Sequence, residues 1–223
     1  MQLPARHPDQ GLIFMEVKAI YLPQMANFCY MVGDETTRTC AVIDPAFDPQ
    51  KILSKVKEAG FSITHVINTH GHSDHTSGNA AIIEATGAQL CIHKADADQV
   101  TRLLTRLLSR FMGGKGSPKP SRLLDDNDII NIGETELKVI HTPGHTQGSI
   151  CIYADGHLFT GDTLFVGAVG RTDLPGGSFK QLLSSIHKKI YVLPDETIVW
   201  PGHDYGPSPS STIETEKQTN PFT

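Results

Sequence analysis

Residues 68–78 read NTHGHSDHTSG, and no other stretch limits the possible folds as much. His70, His72, Asp74 and His75 fall within six positions. Crowded imidazoles and carboxylates are costly to hold together unless a positive centre sits among them. On a helix, His70 and Asp74 would share a face while His72 pointed away, which excludes a helical HExxH zinc motif. In an extended turn, residues 70, 72 and 74 project to one side, His75 leaves in another direction, and Gly71 and Ser73 leave room for the backbone. Such a turn can serve two neighbouring cations, with His70 and His72 on one, Asp74 and His75 on the other. The run ITHVIN (63–68) just before it reads as a short β-branched strand, so the turn is held at a strand end.

Two divalent cations need more donors than four. Three further places offer them. His145 follows the run ELKVIHT and the turn Pro143-Gly144; Asp162 follows a strand and Gly161; His203 follows a strand and Pro201-Gly202. Each donor stands just after a strand end, where the strand fixes the position and the loop aims the side chain.

Taken in order, THGHSDH, TPGHTQGS, FTGDTLF and PGHD resemble the metallo-β-lactamase superfamily of metal hydrolases. GDTLFVGAVGRTDLPGG and the terminal TNPF are more similar to its glyoxalase II-like branch. The resemblance runs from about Met15 to Phe222. It implies an α/β fold, a four-layer αββα sandwich, with a dinuclear site along one edge of the sheets. It implies that His70, His72 and His145 hold one metal and that Asp74, His75 and His203 hold the other, with Asp162 bridging them. Two divalent ions are expected, zinc first and iron second, with Asp74 also orienting the attacking water. The implied substrate is an anionic thioester such as a hydroxyacylglutathione, with Arg171, Tyr205, Lys115 and Lys119 as candidate contacts. For Arg171 and Asp173, an ion pair that props the Asp162 loop is the stronger expectation. The long helical C-terminal extension that supplies glutathione contacts in typical glyoxalase II enzymes has no counterpart here. The alternative within the same superfamily is a persulfide dioxygenase with one iron on His70, His145 and Asp162. A non-catalytic or redox-relay metal module ranks last.

The rest of the 223 residues sets limits on partners. Net charge is −5, which gives no general pull toward nucleic acid or anionic lipid. No run approaches the ~20 apolar residues of a membrane span, and the polar start MQLPARHPDQ is unlike a secretory signal. These features point to a cytoplasmic protein acting on a small molecule, with neither nucleic acid nor membrane as partner and with a homodimer left open. Residues 1–14 read as an N-terminal extension and 15–223 as a single domain. Cys29, Cys40, Cys91 and Cys151 lie apart in apolar runs and read as buried thiols. His7, His65, His93, His141, His157 and His187 lack the Gly-framed setting and read as ordinary histidines.

Strand and helix signals alternate in hairpin-like clusters. Pro49 to Gly60, about 79–86, 96–112 and 178–190 read as helices. In the third, Leu103, Leu104, Leu107, Leu108 and Phe111 share one side. Arg102, Arg106 and Arg110 form an opposite stripe that reads as a solvated face. GGKGSPKP (113–120) reads as a mobile basic loop, and the tail from Pro207 as irregular.

Overall fold

A computed structural model describes residues 15–111 and 113–223. The chain opens with six strands: β1 (Met15–Leu22), β2 (Asn27–Asp34), β3 (Thr39–Ile43), β4 (Ser62–Asn68), β5 (Gln89–His93) and β6 (Arg122–Leu124). They lie side by side in that order as one sheet, antiparallel from β1 to β3 and parallel from β3 to β6. The parallel half needs crossovers. These are α1 (Pro49–Glu58), the short α2 (Ser73–Thr76) with α3 (Asn79–Thr86), and α4 (Leu103–Phe111). Asp48 caps α1 by accepting from the Lys51 amide at 3.1 Å, and Pro49 sits at its first turn.

The second sheet contains β7 (Ile129–Ile132), β8 (Thr135–His141), β9 (Ile150–Ala154), β10 (His157–Gly161), β13 (Ile198–Pro201) and β14 (Ser211–Thr212). Their spatial order is β14-β13-β10-β9-β8-β7. A separate hairpin joins β11 (Leu164–Phe165) to β12 (Ala168–Val169). Helix α5 (Phe179–Ser185) runs into a π-helical turn at Ile186–Ile190, and α6 (Ile213–Thr219) follows β14.

Three apolar clusters define the layers. One, with Phe28, Tyr30, Ile67, Ile130, Val139, Ile152 and Phe159, fills the space between the two sheets. A second packs Ile52 and Val56 of α1 and Ile82 of α3 on the outer face of the first sheet. A third packs Leu182, Ile186, Ile190 and Ile213 on the outer face of the second. This is the expected four-layer αββα sandwich. All four cysteines are free and buried, each on a strand.

Three local expectations fail. The helix expected from residue 96 begins only at Leu103, because Asp96 is turned inward to accept three hydrogen bonds. The loop read as mobile is tied to α3: Gly116 accepts from the Ala80 amide at 3.1 Å, and the Asn79 amide group donates to Ser117 at 2.9 Å. The tail read as irregular forms β14 and α6, anchored by buried Ile213 and by Glu216, which accepts from the Gly167 amide at 3.0 Å. Residues 1–14, His7 among them, lie outside the described residues.

Candidate metal centre

Strand direction gathers the donors. β8 and β10 are each antiparallel to β9, and β13 is parallel to β10, so all three end at the same edge of their sheet. His145 follows β8, Asp162 follows β10 and His203 follows β13. The first sheet meets them: just after β4, Thr69 accepts from the Ile150 amide at 2.8 Å, and in β2 the Phe28 amide donates to Gly202 at 2.9 Å.

The local shape differs from the expected extended turn after His72. The chain becomes helical at Ser73–Thr76, with His72 as the residue before the first turn. That turn sets the His75 ring against His70, with centroids 4.2 Å apart, and sends its Nε2 toward His203.

Seven side chains then converge. His70, His72 and His145 offer nitrogens within 4.8 Å of one another, and so do the donor atoms of Asp74, His75 and His203. Asp162 lies between the groups: Oδ1 is 3.3 Å from His75 Nε2, and Oδ2 is 3.4 Å from His203 Nε2 and 3.6 Å from His145 Nε2. His70, His145 and Asp162, the set of the one-iron alternative, meet in the same place.

Hydrogen bonding settles which nitrogens are available. His145 Nδ1–H donates to the Arg171 carbonyl at 2.7 Å and His203 Nδ1–H to the Met25 carbonyl at 2.9 Å. His75 Nδ1–H donates to Asp44 Oδ2 at 3.0 Å. The free Nε2 atoms of His75 and His203 therefore face each other at 3.1 Å, and His145 Nε2 faces His72 Nδ1 at 2.9 Å. Lone pairs so close need a proton or a cation between them. His70 Nε2 and Asp162 Oδ1 are buried with no hydrogen-bond partner. A Cβ added at Gly202 would sit 2.5 Å from Asp162 Oδ1 and 2.9 Å from His75 Cε1, so only glycine leaves this space open. The donor set fits a metal.

Electrostatics agree. Burial, with neighbouring imidazoles, holds His70 well below the ordinary histidine value and His72 down at about 4, so both present lone pairs at neutral pH. Burial opposes charge on His75 and His203 too, but the carboxylates win. Asp162, Asp74 and Asp44 raise His75, while hydrogen bonds to Asp162 and Asp74 lift His203 to about 9. Burial would raise Asp74, yet His75 and His203 pull it down to about 2. The cluster is built for added positive charge.

The expected substrate contacts are not gathered in the same way. The Arg171 guanidinium pairs with Asp173 at 2.6 Å, both exposed; its main-chain carbonyl, not the ion pair, holds His145. Lys115 pairs with Glu84 at 2.6 Å. Lys119 is exposed. Tyr205 stacks on the His203 ring at 4.6 Å, with its hydroxyl donating to the Met25 carbonyl at 3.4 Å. The remaining described histidines bond or stack elsewhere: His157 accepts from the Trp200 indole at 3.0 Å, and His93 stacks on His141.

Two buried carboxylates behind the donors escaped sequence reasoning. Asp44 accepts from the Thr69 amide, the Thr69 hydroxyl and His75. Asp96 accepts from the Gly71 amide at 2.9 Å, the Gly148 amide at 2.8 Å and the Thr146 hydroxyl at 2.7 Å. It thereby joins the His70–His72 loop to the His145 loop. The only available signal was an acid directly after an apolar run in CAVID, and another in KADAD.

The sequence profile described as Metallo-beta-lactamase superfamily matches residues 22–203. The chain belongs to this superfamily. Its members are metallo-hydrolases and related enzymes, and the His/Asp cluster here is the part able to hold metal. Relatives of this metallo-β-lactamase-fold chain include a hydroxyacylglutathione hydrolase of Polaromonas sp., 37% identical over 80% of this chain and 62% of that one. They also include the mitochondrial persulfide dioxygenase ETHE1 of Homo sapiens, 30% identical over 92% of this chain and 74% of the other. The crystal structure of TTHA1623 in a di-iron-bound form superposes with a TM-score of 0.79 at 32% identity, covering 93% of this chain and all of that one.

Proposed function

We propose that this chain is a metal-dependent thioester hydrolase acting on S-acylglutathione-type substrates in the cytoplasm, with two divalent ions, zinc or iron, at the seven-residue cluster. The observation that carries the reading is the second complete donor group: Asp74, His75 and His203 stand beside His70, His72 and His145, with Asp162 reaching toward both. Metal held there supplies Lewis acidity, polarising an acyl carbonyl and lowering the pKa of water toward ~7. The chain's own residues do the rest. Arg171, Met25 and Asp44 fix the His145, His203 and His75 tautomers through their Nδ1–H groups. Asp74, more exposed than His75 and His203, is placed to orient the attacking water. No serine or cysteine nucleophile is required.

The persulfide dioxygenase reading has specific support in the shared His70–His145–Asp162 set and in the relatives that carry that name. One experiment separates the two. Metal content, S-lactoylglutathione turnover, and oxygen uptake with glutathione persulfide are measured on the same preparation. Two metal equivalents with thioester cleavage are expected. One iron with oxygen uptake and no thioester cleavage overturns the hydrolase reading.

A further inference from the structure

Helix α4 turns Ser109 to the body of the protein, where it is buried. Leu103, Leu104, Leu107, Leu108 and Phe111 remain 72%, 68%, 52%, 43% and 92% exposed. Their spacing sets them on the side opposite Ser109, as one stripe. Five large apolar side chains open to water on a nine-residue helix mark a contact surface, because surface helices ordinarily bury that face.

Charge indicates what covers it. From residue 99 to 124 the sequence carries six cations, Arg102, Arg106, Arg110, Lys115, Lys119 and Arg122, and no Asp or Glu. The remainder holds thirteen Lys and Arg against 24 Asp and Glu, a balance of −11. Arg102 and Arg110 are exposed; Arg110 lies on one flank of the apolar stripe, and Arg102 stands just before the first turn of α4. A second copy is a poor cover. A two-fold contact sets a patch against itself, and an antiparallel α4 pair would bring both arginine flanks to the same side with no acid between them. An anionic lipid surface accepts both features, the apolar side chains entering the acyl boundary while the cations meet phosphates.

We propose that α4 is an interfacial helix that docks this protein on an anionic bilayer surface. The attachment is peripheral, since no helix among the described residues is long and apolar enough to cross a membrane. α4 packs against α2, which carries Asp74 and His75, so docking brings the metal centre to the lipid surface. The sequence expectation of no membrane partner came from net charge, which averages away the local excess. This proposal does not depend on the thioester reading.

The test uses the full-length, metal-loaded protein, sedimented with vesicles of phosphatidylcholine alone or with phosphatidylglycerol added. Binding to the anionic vesicles, weakened by salt, and little binding to the neutral ones are expected. Leu107→Glu with Phe111→Glu should lower anionic-vesicle affinity at least about tenfold. Arg102→Gln and Arg110→Gln should each lower it about fivefold. All four positions are exposed, so circular dichroism and metal content should match the parent chain. Equal sedimentation with both vesicle types, or none with either, overturns the proposal. So does a dimer, seen by light scattering, that ignores vesicles and is split by the Leu107→Glu, Phe111→Glu pair.

Discussion

Asp96 donates no ligand atom, yet both histidine loops close on it. Its two oxygens satisfy the Gly71 amide, the Gly148 amide and the Thr146 hydroxyl, all buried. Asp96→Ala leaves the two amides without partners, at about 1–3 kcal/mol for each that water cannot reach, while the Thr146 hydroxyl keeps Ser149 Oγ at 2.8 Å. The expected outcome is a loss of stability of about 3 kcal/mol, read from denaturant midpoints, together with weaker metal retention. Asp44 acts on one ring. Its Oδ2 takes the His75 Nδ1–H and so keeps Nε2 turned toward His203 and Asp162. Asp44→Ala should lower metal affinity by about ten- to a hundredfold. The measurement is metal stoichiometry under chelator competition, and the loss should concentrate in the Asp74–His75–His203 group. Retention of both metals at parental affinity would mean that His75 is held by its neighbours alone.

Strand ends do at the element scale what single carboxylates do for a ring. The bulge where Gly161 pairs with Pro201 brings β10 and β13 together just before Asp162 and His203, and Gly202 passes directly over Asp162. Gly202→Ala inserts a methyl into that contact. It should cost about 1–3 kcal/mol and most of the bound metal, because the shift falls on Asp162 and His75 together. Thermal melts of the loaded and chelated forms separate the two losses. The same strand ends explain what the sequence revealed. A β-branched run followed by a glycine-framed donor is a local signal, so the seven donors and most strands could be read in order along the chain. The turn at Ser73–Thr76 could not, since four residues are too few for a helical period. Nor could α6, whose place depends on one apolar anchor, Ile213, and on Glu216 reaching Gly167 far back in the chain. The beginning of α4 was misplaced because a helical pattern carries no sign that Asp96 is held by partners near residues 71 and 148.

Across the whole molecule, protons and metal compete for one cluster that joins the two sheets. In the metal-free protein, burial keeps His70 and His72 below the unfolded histidine value, His72 at about 4. Below a pH near 6.5 the unfolded chain therefore binds the extra protons, and stability falls as pH drops toward 4. His203 has the opposite sign. Its neighbours Asp162 and Asp74 raise it to about 9 against burial, and His75 is raised with it. That contribution is complete below 6.5 and is lost as pH climbs through 9. The metal-free chain should thus be most stable near pH ~6.5, with its urea midpoint lower at both mildly acidic and alkaline pH. Metal reverses the alkaline arm, because coordination uses the unprotonated rings and gains affinity as His203 and His75 release their protons. At a thousandfold excess over its dissociation constant it adds about 4 kcal/mol. Chelation should therefore lower the midpoint at every pH and lower it most at alkaline pH. A metal-free midpoint that keeps rising through pH ~9 would show that no proton is shared between His75 and His203, and that the carboxylates around them are not poised for a cation.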